Sequence, residues 1–178
     1  TNFMKKPVKF ILYIGFLTIT CNLFAQRVPV LSQIDLPYGY YFRELYLPQL
    51  TKNPSGVAWM PGSKSVIYSM DGNLWRQNLD SEVAEQLTDG DGYDYQPDVS
   101  SNGRNVVFVR YNGTSAELMV INLITRKTKS LTDNKAVNLE PRWSPDGSKI
   151  AFVSTSSSGH FLLYVASSDT DQLTGMKC

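Results

Sequence analysis

The chain contains three tandem copies of one sequence unit, at residues 57–68, 97–108 and 141–152. The clearest copy is the third, which reads Pro-Arg-Trp-Ser-Pro-Asp-Gly-Ser-Lys-Ile-Ala-Phe. Equivalent positions recur about every 40 residues, a period that is typical of proteins built from stacked supersecondary units. This repeat therefore restricts the possible folds more than any single residue does.

A second marker follows each copy at the same step along the chain. It reads Gln-Leu-Thr-Asp at residues 86–89, Ser-Leu-Thr-Asp at 130–133 and Gln-Leu-Thr-Gly at 172–175. The apolar runs between the markers are short, rich in β-branched and aromatic residues, and bounded by turn residues, which favours strands over helices. We therefore expect little helix after Gln26.

One repeat can be divided into four strands. The second copy predicts a strand entered through proline at residues 97–100, an apolar strand at 106–109, a third strand at 117–121 and an edge strand at 127–132. Asn-Gly and Asn-Gly-Thr sequences supply the turns between the first three strands. Four strands per repeat predict an all-β chain of about three β-propeller blades, which form an incomplete ring.

The N-terminus has the pattern of an export signal. Basic residues at 4–9 precede an apolar run at 10–19, and Ala25 occupies the small-residue position before a cleavage site. We predict a signal peptide at residues 1–25, with Met4 as the true start and a periplasmic or secreted product. The run is too short to cross a bilayer as an ordinary anchor, and lipidation of Cys21 is the weaker alternative because the residues before it fit a lipidation signal poorly.

The remaining chain divides into an N-terminal segment with a first edge strand and three blades. We place the segment at residues 26–50, and within 51–178 the blades at about 51–89, 90–133 and 134–175. Propellers close with four to eight blades, so we expect a truncated portion of a longer protein whose remaining blades or downstream domain cover the open faces. A half-propeller that assembles with copies of itself is the alternative.

The repeat resembles that of a known family. The Trp-Ser-Pro-Asp-Gly core at residues 143–147, followed by an apolar strand and Leu-Thr, is similar to the WD-repeat-like unit of TolB-type propellers, which also occurs in tricorn-like and prolyl-oligopeptidase-like proteases. Residues 40–51, 69–76 and 92–97 are similar to secreted bacterial proteins in which such a propeller precedes a metal-dependent amidohydrolase barrel. The first two repeat copies depart from the core sequence at several positions.

The resemblance implies two functional hypotheses. The first is a non-catalytic periplasmic module of TolB type that binds a protein or peptide. The alternative is the N-terminal propeller portion of a metal-dependent amidohydrolase whose catalytic domain lies downstream. Under both hypotheses these residues carry out no bond chemistry and need no cofactor, and a divalent metal belongs only to a downstream domain.

The residues themselves agree with a binding role. The sequence has neither a His-x-His pair nor a Gly-x-Ser-x-Gly elbow, and we expect its one histidine, His160, in an exposed hairpin. The net charge of +1 gives no reason to expect nucleic acid or, after signal cleavage, a membrane as partner. Residues 89–94 resemble the start of a calcium loop but lack its later glutamate, so we interpret them as a polar connection between blades.

Candidate binding residues lie on the connections that lead from an outer strand into the next inner strand, around the mouth of the channel. Aromatic and hydrogen-bonding side chains there suit recognition of a peptide or a sugar. The candidates are Asn53, Ser55, Tyr93, Asp94, Tyr95, Gln96, Asn138, Glu140 and Arg142. For Tyr95 and Gln96 the alternative is packing at the blade junction.

Other aromatic residues are predicted to be core because they fall in or beside strands that keep the phase of the repeat. These are Trp59, Trp75 and Trp143, together with the mutually aligned Tyr68, Phe108 and Phe152.

Overall fold

The computed structural model describes residues 52–168 and 176–177, which form strands connected by turns and contain no helix. In this part of the chain there is accordingly no helical segment that could span a membrane. The predicted signal peptide, Cys21, the segment at 26–50 and the third Leu-Thr marker lie outside the described residues. The strands are β1 (Ser55–Trp59), β2 (Ser65–Met70), β3 (Asn73–Asn78), β4 (Ala84–Gln86), β5 (Tyr93–Val99), β6 (Asn105–Tyr111), β7 (Ala116–Asn122), β8 (Thr128–Ser130), β9 (Asn138–Trp143), β10 (Lys149–Ser154), β11 (Leu162–Ser167) and β12 (Met176–Lys177).

The strands form three four-stranded antiparallel sheets, and each sheet contains one copy of the repeat. The order within each sheet follows the sequence, from β1 to β4, β5 to β8 and β9 to β12. This arrangement confirms the prediction of an all-β chain made of propeller blades in an incomplete ring. Strand β1 contacts β5, and β5 contacts β9, so the first strand of each blade is the innermost one.

The second blade is packed on both faces. Its strand β6 carries Val106, Val107, Phe108 and Val109, all with 0% exposure. Val106 and Phe108 join the core shared with the first blade, whereas Val107 and Val109 join the core shared with the third. Because successive side chains of a strand point to opposite faces, a strand buried on both sides must be apolar at every position.

The predicted core aromatics are buried where the repeat aligns them. Phe108, Phe152 and Tyr68 are 0%, 4% and 7% exposed. In the second and third blades this position faces the preceding blade, where Phe108 and Phe152 join the two interblade cores. These three predictions are confirmed.

The prediction that Trp59 belongs to the core is wrong, because Trp59 is 60% exposed among the described residues. Its repeat equivalents, Val99 and Trp143, each pack on the core formed with the preceding blade. Trp59 pairs with Val66 on the same face of its own blade, and no earlier blade is present among the described residues. Trp75 is half-buried and its indole N–H donates to the Met70 carbonyl at 2.9 Å.

The Leu-Thr marker has a structural explanation. Leu87 and Leu131 are buried between blades. The hydroxyl oxygen of Thr88 accepts the backbone N–H of Leu74 at 2.9 Å, and that of Thr132 accepts the N–H of Leu118 at 2.8 Å. The pair therefore recurs because one residue fills the core and the next satisfies a buried backbone donor, which would be costly to leave unpaired.

Candidate binding site on the inner strands

Each innermost strand contains a β-bulge at the same position of the repeat. The register shifts between Ser55 and Ala58 in β1, between Tyr95 and Asp98 in β5, and opposite the Ala151–Val153 stretch in β9. The bulged residues are Gly56, Gln96 and Glu140, with φ values of 56°, 52° and 52°. Gln96 and Glu140 each precede a proline. The prediction that Pro97 begins a strand is wrong, because Pro97 lies inside β5, at the bulge, where a missing N–H is tolerated.

The three bulges lie side by side across the blades, and we call them the bulge row. A Cβ on Gly56 would lie 3.3 Å from the backbone N of Gln96, so the first two bulges touch. The side-chain oxygen of Gln96 accepts the backbone N–H of Glu140 at 2.8 Å. Side chains at positive φ other than glycine cost about 1–2 kcal/mol, and such strain together with bulges is concentrated at functional sites.

The predicted binding residues divide by burial into three groups. Asn53, Ser55, Glu140 and Arg142 are exposed, Tyr93 and Gln96 are half-buried, and Asp94, Tyr95 and Asn138 are buried. The three buried side chains cannot contact a ligand directly.

Asp94 forms a bidentate ion pair with Arg110. Both Arg110 Nε and Nη2 donate to the Asp94 carboxylate at 2.7 Å, and Asp94 is 1% exposed. This hydrogen bonding raises the pKa of the Arg110 guanidinium, which also lies 5.6 Å above the ring of Phe108. The pair anchors the entry into β5.

Asn138, the repeat equivalent of Asp94, anchors the entry into β9 through a different set of partners. Its amide nitrogen donates to the Ala116 carbonyl at 2.8 Å and to the carboxylate of buried Glu117 at 3.3 Å. Glu117 also accepts the backbone N–H of Lys135 at 2.9 Å. Glu117 was not predicted from the sequence, because nothing in its local pattern distinguishes it from a surface glutamate.

Tyr95 packs in the core between the second and third blades. Its ring centroid lies 6.0 Å from that of Tyr93. Burial raises the pKa of the Tyr95 hydroxyl, which has no hydrogen-bond partner among the described residues. Of the two candidates, Tyr93 is the one with surface to offer a ligand.

Asp98 links adjacent inner strands and was also not identified from the sequence. Its carboxylate accepts the backbone N–H of Trp143 at 2.7 Å. Burial raises the pKa of the Asp98 carboxyl, and the hydrogen bond from Trp143 offsets part of that effect.

The raised pKa of Asp98 predicts a pH effect on stability. A carboxyl whose folded-state pKa lies above its unfolded value contributes stability below the unfolded pKa, and this contribution is lost as the pH rises through the folded pKa. The variant Asp98→Asn keeps an acceptor for Trp143. We expect its free energy of unfolding, relative to that of the wild type, to be higher at about pH 7 than at about pH 3 by a fraction of a kcal/mol. Urea unfolding at both pH values measures this; a wild type that gains on the variant as pH rises would contradict it.

The described residues contain no group of three or more His, Cys, Asp or Glu side chains placed to hold a metal. His160 is exposed in the turn before β11. In the acidic loop, Asp89 and Asp91 are exposed whereas Asp94 is held by Arg110.

Comparisons with known proteins identify relatives for this arrangement. The family described as TolB beta propeller domain matches residues 45–177. An uncharacterised protein of Agrobacterium fabrum is 28% identical over 111 residues, which are 59% of this chain and 38% of that protein. The Tol-Pal system protein TolB of Francisella tularensis is 36% identical over 55 residues, 31% of this chain and 13% of its own.

Solved structures show the same fold. A putative TolB from Agrobacterium tumefaciens superposes with a TM-score of 0.63 at 21% identity, covering 71% of this chain and 49% of the other. TolB from Acinetobacter baumannii gives a TM-score of 0.60 at 22% identity, covering 67% and 31%, and the tricorn protease 0.54 at 19%, covering 70% and 13%. The chain thus spans about two fifths of its curated Agrobacterium relative and half or less of these structures.

Proposed function

Because the chain belongs to the TolB beta propeller domain family, we propose that it is a non-catalytic binding module that holds an extended protein or peptide segment along the bulge row. The observation that carries the proposal is the repeated positive φ at Gly56, Gln96 and Glu140, at the same position of each innermost strand. A bulge redirects side chains, and here it does so on the innermost strands.

The contacts within the row suggest how it binds. Gln96 uses its side-chain oxygen to accept the backbone N–H of the next bulged residue, Glu140. Glu140 is exposed, and its carboxylate accepts no hydrogen bond from another described residue. In this proposal the Glu140 carboxylate accepts the backbone N–H of a bound segment, since main-chain hydrogen bonds are the general means of holding extended peptides.

The neighbouring side chains add further contacts of the same type. Arg142, two residues along β9, is exposed and its guanidinium reaches the Pro141 carbonyl at 3.1 Å. Tyr93 supplies an aromatic surface at the entry to β5. A carboxylate, a guanidinium and an aromatic ring suit a segment of mixed polarity rather than a nucleic acid or a membrane.

Selection from a displayed library of unstructured peptides, followed by measurement of the selected peptides against variants, tests the proposal. We expect binding to be lost when Arg142 is replaced by alanine and retained when Lys64, an exposed lysine at the other end of the first blade, is replaced. Equal binding to both variants would place the peptide elsewhere. Hydrolysis of the peptides by a clean preparation, with or without zinc, would contradict a non-catalytic module.

Replacing Glu140 with glycine separates binding from stability. Glycine removes the cost of positive φ, so we expect the free energy of unfolding to rise by about 1 kcal/mol. Loss of the carboxylate should weaken peptide binding about tenfold. Lys135→Gly is the matched control: its φ is 54°, so it should gain similar stability with no change in binding. A Glu140→Gly variant that binds normally would refute a role for the carboxylate.

The second candidate is the propeller portion of a metal-dependent amidohydrolase. The fold similarity to the tricorn protease supports this candidate, because that protein is a protease. Under this hypothesis the remaining blades and the downstream domain are partners of the residues described here. Reading the coding frame beyond Cys178 distinguishes the two, because a histidine-rich barrel would favour the second.

The proposed location is the periplasm or the exterior, on the evidence of the basic and apolar segments before Ala25. N-terminal sequencing of the exported protein tests it, and a mature product that retains residues 1–25 would contradict it.

A further inference from the structure

The hairpin between β6 and β7 contains an Asn-Gly pair, Asn112-Gly113, which the proposed peptide site does not include. Asn112 and Thr114 are exposed. Gly113 has a φ of 95°, and a Cβ added to it would meet nothing within 4 Å. The pair therefore lies in an open turn, where packing leaves its backbone and its side-chain amide accessible to water.

An Asn-Gly pair carries a reaction of its own. The glycine backbone nitrogen gives up its proton to solvent base and attacks the side-chain amide carbon of the asparagine, which is least hindered when the nitrogen belongs to a residue without a Cβ. The new C–N bond closes a succinimide ring, and the side-chain nitrogen takes a proton from water and leaves as ammonia. Water then opens the ring at either carbonyl, which gives aspartate or an isoaspartate whose main chain runs through the former side chain.

Two features of the turn favour this reaction at Asn112. Three donors point at its Oδ1, which accepts the Thr114 N–H at 3.0 Å, the Thr114 hydroxyl at 2.9 Å and the Ser115 N–H at 2.9 Å. Negative charge develops on that oxygen in the tetrahedral intermediate, so the donors stabilise it in the manner of an oxyanion hole. The attacking group, the Gly113 N–H, donates no hydrogen bond to another described residue.

A second Asn-Gly pair, Asn102-Gly103 in the turn between β5 and β6, provides an internal comparison. Asn102 is also exposed, and its Oδ1 accepts the Ser100 hydroxyl at 2.8 Å and the Arg104 N–H at 2.9 Å. The Gly103 N–H, however, donates to the Ser100 carbonyl at 2.8 Å. A Cβ on Gly103 would lie 3.4 Å from Pro61 of the first blade. The attacking nitrogen of this pair is therefore engaged in its turn and packed against the neighbouring blade.

From this difference we propose that Asn112 is a site of spontaneous deamidation and isoaspartate formation, selected over Asn102 by the fold. Both products carry a new carboxylate, and isoaspartate also lengthens the backbone of the hairpin. The hairpin follows Tyr111, whose hydroxyl donates to the Gly113 carbonyl at 3.0 Å and which pairs with Tyr93 at the entry to β5. The modification thus changes the end of the second blade where β5 begins, and it does not depend on peptide binding.

Incubation of the full chain in mildly alkaline buffer, followed by trypsin digestion and mass spectrometry, measures the two rates separately. Trypsin releases Asn102 in peptide 77–104 and Asn112 in peptide 111–126, and fragmentation locates the converted residue. We expect Asn112 to convert at least about tenfold faster than Asn102 in the folded chain, and the two rates to become similar in concentrated urea. Equal rates in the folded chain, conversion of neither residue, or an unchanged ratio in urea would overturn the proposal.

Substitution of Thr114 tests the donors to Oδ1. Thr114→Val keeps the shape of the side chain without its hydroxyl and should slow conversion of Asn112 at least about twofold, whereas Thr114→Ser should restore the rate. Thr125→Val is the matched control, because Thr125 is exposed and its hydroxyl donates to the Oδ1 of Asn122 at 3.3 Å in the next turn of the same blade. A wild-type rate in Thr114→Val would overturn this explanation of the selection.

Discussion

Replacing Phe108 with alanine is expected to lower the free energy of unfolding by about 3–5 kcal/mol. Phe108 is fully buried in the core between the first two blades, together with Ile67 and Leu74. Truncation removes the ring from a layer held by two separate sheets, which cannot close a cavity without moving one blade relative to the other. The ring also lies beneath the guanidinium of Arg110, so one favourable cation–π contact is lost.

Urea unfolding followed by tryptophan fluorescence and circular dichroism measures this loss. Ile124→Ala is the matched control, because Ile124 is 71% exposed and its truncation should change stability by no more than about 0.5 kcal/mol. If the alanine variant does not fold, Phe108→Leu is expected to retain the fold at a smaller cost. A loss for Phe108→Ala as small as that for Ile124→Ala would show that the two blades are not packed on each other.

Replacing Arg110 with methionine is expected to cost about 3 kcal/mol, the lower end of the range for breaking a buried ion pair from one side. Asp94 is almost fully buried, whereas the Arg110 side chain is 24% exposed, so water relieves part of the cost. The expected loss arises mainly from an Asp94 carboxylate that is left buried without a counter-charge, rather than from the attraction itself.

A second substitution distinguishes this explanation from lost packing. Asp94→Leu in the Arg110→Met background should recover much of the stability, because both charges are then absent. Arg126→Met breaks the exposed pair with Glu85 and should cost less than about 1 kcal/mol. Equal losses of unfolding free energy for Arg110→Met and Arg126→Met would show that burial does not raise the cost of breaking the Asp94–Arg110 pair.

The blades were predictable because their determinants are local. Asn102-Gly103 and Asp146-Gly147 fall in the turns that such pairs favour, and the run from Val106 to Val109 can only be a strand buried on both faces. The Leu-Thr marker is recognisable as a repeat in the sequence, but its structural role, in which Thr132 accepts the N–H of Leu118, depends on the fold.

The candidate site was less predictable because its residues differ in burial rather than in type. Asp94 and Glu140 are both acidic and both follow an interblade connection, yet one is paired with Arg110 and the other is exposed. The bulge at Gln96 also had no sequence signature, since a side chain at positive φ is held there by the neighbouring strands and by its bond to Glu140.

The sequence by itself determined that this protein is built from four-stranded propeller blades, because turn residues, strand periodicity and the repeat are properties of short stretches of chain. Only the tertiary structure decided which faces meet and which side chains remain available. Trp59 and Trp143 occupy the same position of the repeat, but one is exposed and the other packs on the preceding blade and lines a cleft. The difference depends on what lies across the interblade space, and that is set by residues about 40 positions away rather than by neighbours in sequence.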